Sequence, residues 1–135
     1  MAAPEVQSAG SVSRLECTAL IVGKGTFKVS LYRHLSPLTV NALMRVFPLE
    51  SRVNVQPAMA CMFTTIRVGV EKPKTSFERG DVAFLASNGL ICFFLKTATS
   101  DRPLNPLGKV DDGIELLDSL RPGSVIRLSR EPASG

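Results

Sequence analysis

The stretch GLICFFLKTATSDRPLNPLGKVDDGIELLDSL, residues 89–120, decides the fold because it contains the signals of a strand, a loop and a helix in succession. It begins with an unbroken apolar run that carries the pair Phe93 and Phe94 and predicts a strand. A polar segment punctuated by prolines follows over 99–106 and predicts a loop. A Gly-Lys-Val step at 108–110 then leads into a short amphipathic helix. This order indicates a β-rich domain in which a late strand is followed by a helix.

Two glycine-containing turns predict hairpins. The Asn-Gly pair at 88–89 is the strongest hairpin signal in the chain, and it joins a strand over 82–86 to the strand at 90–96. The Gly-Lys-Gly sequence at 23–25 is a tight turn between two runs rich in branched residues. A charged loop is predicted over 71–79. The other extended runs bring the total to seven or eight short strands: 14–22, 26–32, 51–54, 58–70 and 124–128.

Two helices are predicted between these strands. Ser36 suits the N-cap of the first helix and Pro37 its first turn, while Pro48 ends the segment. Asp112 and Glu115 are spaced like a capping box at the start of the second helix. Seven or eight short strands with two α-helices predict a mainly β protein, in which a closed β-barrel of about eight strands is capped by the helices.

Length and composition favour one globular domain. A chain of 135 residues with 44% apolar and 21% charged residues has enough apolar surface for a single core. We expect a flexible N-terminal tail over 1–13, a barrel domain over 14–130 and a C-terminal tail over 131–135. No apolar run approaches the roughly 20 residues that span a bilayer, and no secretory signal is evident, so we expect no membrane association.

Residue types that usually carry metal or covalent chemistry are sparse. The three cysteines, Cys17, Cys61 and Cys92, are an odd number without paired spacing, which argues against a disulfide framework and favours buried, reduced thiols in the cytoplasm. His34 is the single histidine, so neither a zinc site nor a Ser-His-Asp triad is supported. We therefore expect no metal and no cofactor.

The remaining chemical feature is apolar. Met59, Met62, Phe63, Phe93 and Phe94 fall on two strands that are expected to be neighbours. Methionine and phenylalanine together can hold a proline ring or another flat apolar group. The same five side chains can equally fill a core, and the sequence leaves both interpretations open.

Several segments resemble cyclophilins, and over residues 79–94 the chain is most similar to the small prokaryotic cyclophilin-like proteins. The resemblance covers roughly residues 13–131 and rests on the order and spacing of five motifs. They are FKVSLYRHLSPLTVNALMR (27–45), ESRVN (50–54), RGDVAFLASNGLICFF (79–94), CFFLKTA (92–98) and LGKVDDGIELLDSL (107–120). The resemblance implies a closed barrel.

The resemblance also implies an activity, prolyl cis/trans isomerisation, whose uncatalysed barrier is about 18–20 kcal/mol. Cyclophilins lower it with an arginine that hydrogen-bonds the twisted prolyl bond above an apolar pocket. By position, Phe94 matches the pocket phenylalanine, Arg52 falls near the catalytic arginine, and Met59 and Met62 stand near other substrate-binding positions. The chain has no tryptophan, and Leu104 stands where the family often has histidine. The catalytic set is therefore reduced.

Three functions follow as expectations. The first is a barrel that binds a peptide or small ligand in an apolar pocket, with weak or absent prolyl isomerase activity. The second is an active prolyl isomerase that assists folding in the cytoplasm. The third, nucleic-acid binding, requires exposed aromatic residues interleaved with basic ones, and a single tyrosine with a scattered net charge of +4 argues against it.

Overall fold

The computed structural model of the protein describes residues 14–131. The predicted tail over 1–13 lies outside the described residues, as do residues 132–135 of the predicted C-terminal tail. Glu131, the first residue of that predicted tail, is described, and its backbone N–H donates to the carbonyl of Glu16 at 2.9 Å.

The described residues form nine strands and two helices. The strands are β1 (Arg14–Ile21), β2 (Gly25–Tyr32), β3 (Leu49–Val55), β4 (Met59–Phe63), β5 (Lys74–Phe77), β6 (Asp81–Leu85), β7 (Leu90–Phe94), β8 (Ala98–Asp112) and β9 (Val125–Arg130). The helices are α1 (Pro37–Val46) and a 3₁₀ helix (Ile114–Ser119). Neither helix of this described part is long and apolar enough to cross a membrane.

Eight of the strands close into an antiparallel barrel. The order is β2-β1-β9-β3-β4-β7-β6-β8, and β8 pairs back with β2 to complete the circle. The prediction of a mainly β, eight-stranded closed barrel with two helices is confirmed. The hairpins predicted at 23–25 and 88–89 are present as β1–β2 and β6–β7. β5 stands outside the circle and pairs with β8 alone.

Strand alternation divides the apolar residues between two cores. On β4 and β7, Met62 and Phe93 point into the barrel, where the rings of Phe93 and Phe27 pack nearly perpendicular to each other at a centroid distance of 5.6 Å. A second, smaller core lies on the outer face of these strands, and its members are Cys61, Phe77, Ala83, Cys92, Phe94 and Leu104. The outer core exists because β5 and the first half of β8 cover this part of the barrel wall.

The segment predicted as a loop over 99–106 is part of β8, and that prediction is wrong. Ala98, Thr99 and Leu104 pair with β5, with an irregularity in the ladder between Thr99 and Leu104, and the strand pairs with β6 from Asn105 onward. Pro103 and Pro106 lack a backbone N–H, so the sequence of this segment favours a loop over a strand. β5 also lies within a segment that the sequence predicts as a charged loop. The extended run predicted over 58–70 forms a strand only as far as Phe63.

The start of α1 is capped from a distance. Ser36 occupies the predicted N-cap position, but its hydroxyl donates to the carbonyl of Pro106 at 2.7 Å instead of capping the helix. The carboxylate of Glu71 accepts the backbone N–H groups of Leu38, at 2.8 and 2.9 Å, and Thr39, at 3.1 Å. An acidic group at this end also complements the helix dipole.

The second helix differs from the prediction in type and in its cap. It is a 3₁₀ helix, and its N-cap is Gly113 at φ 84°, without a side-chain cap. Asp112 is the last residue of β8, so the predicted capping box with Glu115 does not form. Glycine is required at 113 because a Cβ there would lie 2.9 Å from Cβ of Phe27 at a φ that side chains rarely adopt.

Candidate functional site

A groove lies on the outer face of the barrel, between the β4–β7 wall and the first half of β8. Its volume is 410 Å³. The floor is built from apolar and sulfur-containing side chains: Met59, Cys61, Leu85, Leu90, Cys92 and Leu104. The rim is polar and is built from Gln56, Asn88, Thr99, Ser100, Asp101 and Arg102. Such a combination binds ligands through apolar contact and orients them through a few polar groups.

Register between β4 and β7 explains which residues face the groove. Met59 lies opposite Phe94, Cys61 opposite Cys92, and Phe63 opposite Leu90. Directly opposed residues of an antiparallel pair share a face, so all six side chains point outward.

Phe94 lies beneath this groove rather than on its surface. The ring is fully buried and stacks on the ring of Phe77, with centroids 4.6 Å apart and an interplanar angle of 16°. Phe77 belongs to β5, which the sequence did not reveal. Phe94 therefore supports the wall next to Met59 and offers no open surface to a ligand.

Met62 and Phe63, two further predicted binding residues, lie apart from each other. Met62 is fully buried in the barrel interior. Phe63 is on the outer face at the far end of β4, 54% exposed, and it does not line the groove. Of the predicted binding residues, the structure places only Met59 in the groove lining.

Arg52, the predicted catalytic residue, stands away from the groove. Its side chain is exposed, and Nη1 lies 3.5 Å from the carbonyl oxygen of Gly123. Its neighbour Val53 pairs with Met62, whereas Met59 lies at the opposite end of β4. The structure thus does not bring Arg52 together with Met59 and Phe94.

Arg102 supplies the cation that lines the groove. Its Nη1 donates to Oδ1 of Asn88 at 2.9 Å and to Oγ of Ser87 at 3.3 Å, which ties β8 to the β6–β7 turn. The sequence does not single out this residue, because its segment predicts a loop and lacks the tryptophan that the resemblance to cyclophilins implies there. The available signal was its position between the Phe-Phe strand and the Gly-Lys-Val step.

The groove floor also holds two thiols in contact. The sulfur atoms of Cys61 and Cys92 are 3.1 Å apart and share a hydrogen bond. This bond lowers the pKa of Cys61 because it stabilises the thiolate, while the same bond together with burial raises the pKa of Cys92. Within residues 14–131, no group of three or more His, Cys, Asp or Glu side chains is arranged to hold a metal ion.

Similar solved structures include two proteins, each of which covers 88% of this chain. The solution structure of the hypothetical protein AF2241 from Archaeoglobus fulgidus has a TM-score of 0.72 and 25% sequence identity, with 96% of that chain covered. McbB, solved in complex with tryptophan, has a TM-score of 0.71 and 16% identity, with 46% of that chain covered. The likeness to McbB shows the fold alone.

Sequence comparison gives a family. No curated protein matches the chain. The family model described as Cyclophilin-like matches residues 17–129, which run from β1 to β9 and include every groove residue. The chain therefore belongs to the cyclophilin-like family.

Proposed function

We propose that the protein binds an extended peptide or a small ligand in the outer groove, with weak or absent prolyl isomerase activity. The observation that carries this proposal is the 410 Å³ groove, which has an apolar floor and a polar rim. We further propose the cytoplasm as its location, since its three cysteines are free and buried.

An extended peptide suits the outer face of β4. Met59 and Phe63 point to the same side, about 13 Å apart at roughly 3.3 Å per residue. Phe63 is one of the large apolar side chains that remain exposed within the described part of the chain. A ligand of about four residues seated on Met59 would reach Phe63, and a shorter one would remain within the groove.

The expectation of weak isomerase activity rests on the arginines. Isomerisation needs a donor held above the twisted prolyl bond. Arg52 lies outside the groove, and Arg102 is held at the rim by Asn88 and Ser87. We assign Arg102 the role of a polar anchor for a ligand carbonyl or carboxylate, because a guanidinium stays charged and presents several donors.

The test is a binding measurement on a panel of short proline-containing peptides and small carboxylic acids. A ligand of the groove raises the thermal midpoint in proportion to its concentration and affinity. We expect Arg102→Gln to weaken binding by about tenfold, as loss of one charge-assisted hydrogen bond does. Arg67→Gln, an exposed arginine outside the groove, is the matched control. Equal affinities of the two variants, or no stabilisation by any compound, would contradict the proposal.

The alternative is an active prolyl isomerase, which family membership and the apolar floor at Met59 favour. A protease-coupled assay on an X-Pro peptide decides between them. A rate above the spontaneous one that falls with Arg52→Ala would establish Arg52 as the catalytic arginine, as the resemblance to cyclophilins implies. A fall with Arg102→Ala alone would move the catalytic role to the rim. A rate equal to the spontaneous one would end this alternative.

A further inference from the structure

Two of the three cysteines face each other across neighbouring strands. Cys61 on β4 is in register with Cys92 on β7, and their sulfur atoms are 3.1 Å apart. Both line the groove, and both side chains are otherwise buried. They are free thiols in this structure. The chain therefore carries a preassembled dithiol in the lining of the groove.

The register of this pair is compatible with the Cα spacing of a disulfide. Directly opposed residues in an antiparallel ladder have Cα atoms roughly 4.5 or 5.5 Å apart, depending on the hydrogen-bonding position. Both values fall within the range of about 4.4–6.8 Å that disulfides accept. We therefore expect the bond to form by side-chain rotation that brings the two sulfur atoms together, with the strand pairing kept.

We propose that Cys61 and Cys92 form a redox-active dithiol that exchanges with a low-molecular-weight disulfide and closes reversibly into a cross-strand disulfide in the groove floor. This inference depends on the two sulfur atoms and their register, and it is independent of the ligand-binding role proposed above.

The exchange proceeds in two balanced steps. The Cys61 thiolate attacks one sulfur of the small disulfide, forms a mixed disulfide and releases the first small thiolate. The Cys92 sulfur, having lost its proton, then attacks the Cys61 sulfur and releases the second. The two protein thiols are oxidised, the small disulfide is reduced to two thiols, and the two protons pass to those thiols. The hydrogen bond that lowers the pKa of Cys61 favours it as the first nucleophile.

The third cysteine provides an internal control. Cys17 lies on β1, is fully buried in the barrel core, and borders a different cavity from the one that the other two cysteines line. Desolvation raises its pKa to about 12, so it is a poor nucleophile. We therefore expect a small disulfide to oxidise Cys61 and Cys92 and to leave Cys17 as a thiol.

In the experiment, the full chain is equilibrated with glutathione buffers of increasing oxidised fraction. Two series are run, one with sub-denaturing urea and one without it. The reaction is quenched with acid, and remaining thiols are alkylated under denaturing conditions. We expect a mass loss of about 2 Da from the two thiol hydrogens, with alkylation of Cys17 alone. Digestion should yield a peptide pair linked through Cys61 and Cys92, and excess reduced glutathione should restore all three thiols.

Variants make the result specific. Cys17→Ser should behave as the wild type, whereas Cys61→Ser and Cys92→Ser should form no intramolecular disulfide. Cys92→Ala serves as a second variant should the serine disturb packing, and circular dichroism confirms that each variant is folded. Alkylation of all three wild-type cysteines throughout both series would overturn the proposal. Linkage through Cys17, or disulfides only between molecules, would also overturn it.

Discussion

At the residue scale, the role of a side chain depends on which face of its strand it lies on and on whether another element covers that face. Phe93 and Phe94 are adjacent in sequence, yet Phe93 fills the barrel while Phe94 belongs to the outer core. The sequence predicts correctly that both lie on a strand. It could not reveal that Phe77 covers Phe94, because Phe77 lies in a segment whose charge favours a loop.

Asn105 is a second residue whose role only the fold reveals. The fully buried amide accepts the backbone N–H of Glu71 at 2.7 Å and donates to the carbonyl of Gly69 at 2.9 Å. We predict that Asn105→Ala lowers the free energy of unfolding by about 2–3 kcal/mol, because buried partners lose their hydrogen bonds. Urea denaturation measures this effect. Asn41→Ala, at an exposed position on α1, is the control, and equal small losses in both variants would contradict the account.

The ion pair between Glu131 and Lys28 predicts a dependence on pH. Hydrogen bonds from Lys28 and Thr18 lower the pKa of Glu131. A carboxyl group whose pKa is lowered by folding adds stability above its unfolded value, near 4.3, and that stability is lost as the pH falls through the folded value. Glu131→Gln should therefore lower the thermal midpoint at pH 7, and the difference from wild type should vanish at strongly acidic pH. A difference that persists in acid, or that Glu115→Gln reproduces, would refute this assignment.

At the element scale, the departures from the sequence predictions cluster in β5, β8 and the cap of α1. Turn chemistry is local, so the hairpins at 23–25 and 88–89 were predictable. The cap of α1 is supplied by Glu71. Because Glu71 lies 33 residues beyond Leu38 in the chain, no local sequence pattern predicts this cap. β5 and the first half of β8 are stable as strands because they pair with each other above the outer core.

Glu71 is the test at this scale. We predict that Glu71→Ala lowers the free energy of unfolding by about 1–2 kcal/mol, since it removes an N-terminal cap and a charge that complements the helix dipole. Chemical denaturation gives the value. Glu78→Ala, at an exposed position between β5 and β6, should change stability little. A loss for Glu71→Ala no larger than that for Glu78→Ala would show that the cap contributes nothing.

At the scale of the whole molecule, closure of the barrel depends on the contact between β2 and β8. Leu31 pairs with Gly108, the glycine of the Gly-Lys-Val step. A Cβ at position 108 would lie 1.8 Å from the carbonyl oxygen of Ser30. Composition and strand count predict a closed barrel, but they do not identify the pair of strands that closes it, because that contact joins distant parts of the chain.

We therefore predict that Gly108→Ala destabilises the fold by about 3 kcal/mol or more, because backbone must move to admit a methyl group in a packed wall. Gly69→Ala is the matched control, since a Cβ there meets nothing within 4 Å. Thermal unfolding of both variants measures the difference. A Gly108→Ala variant as stable as Gly69→Ala would contradict the proposed closure.

The functional proposal rests on the groove, which is a feature of the whole molecule. It forms only because β5 and the first half of β8 lie over the barrel wall. The most direct test is a titration of isotope-labelled protein with a short proline-containing peptide, followed by amide and methyl resonances. We predict that shifts concentrate on the groove lining at Met59, Leu90 and Arg102, and extend to Phe63 for longer peptides. Shifts confined to the opposite side of the barrel around β1, or no shifts at millimolar peptide, would contradict the account.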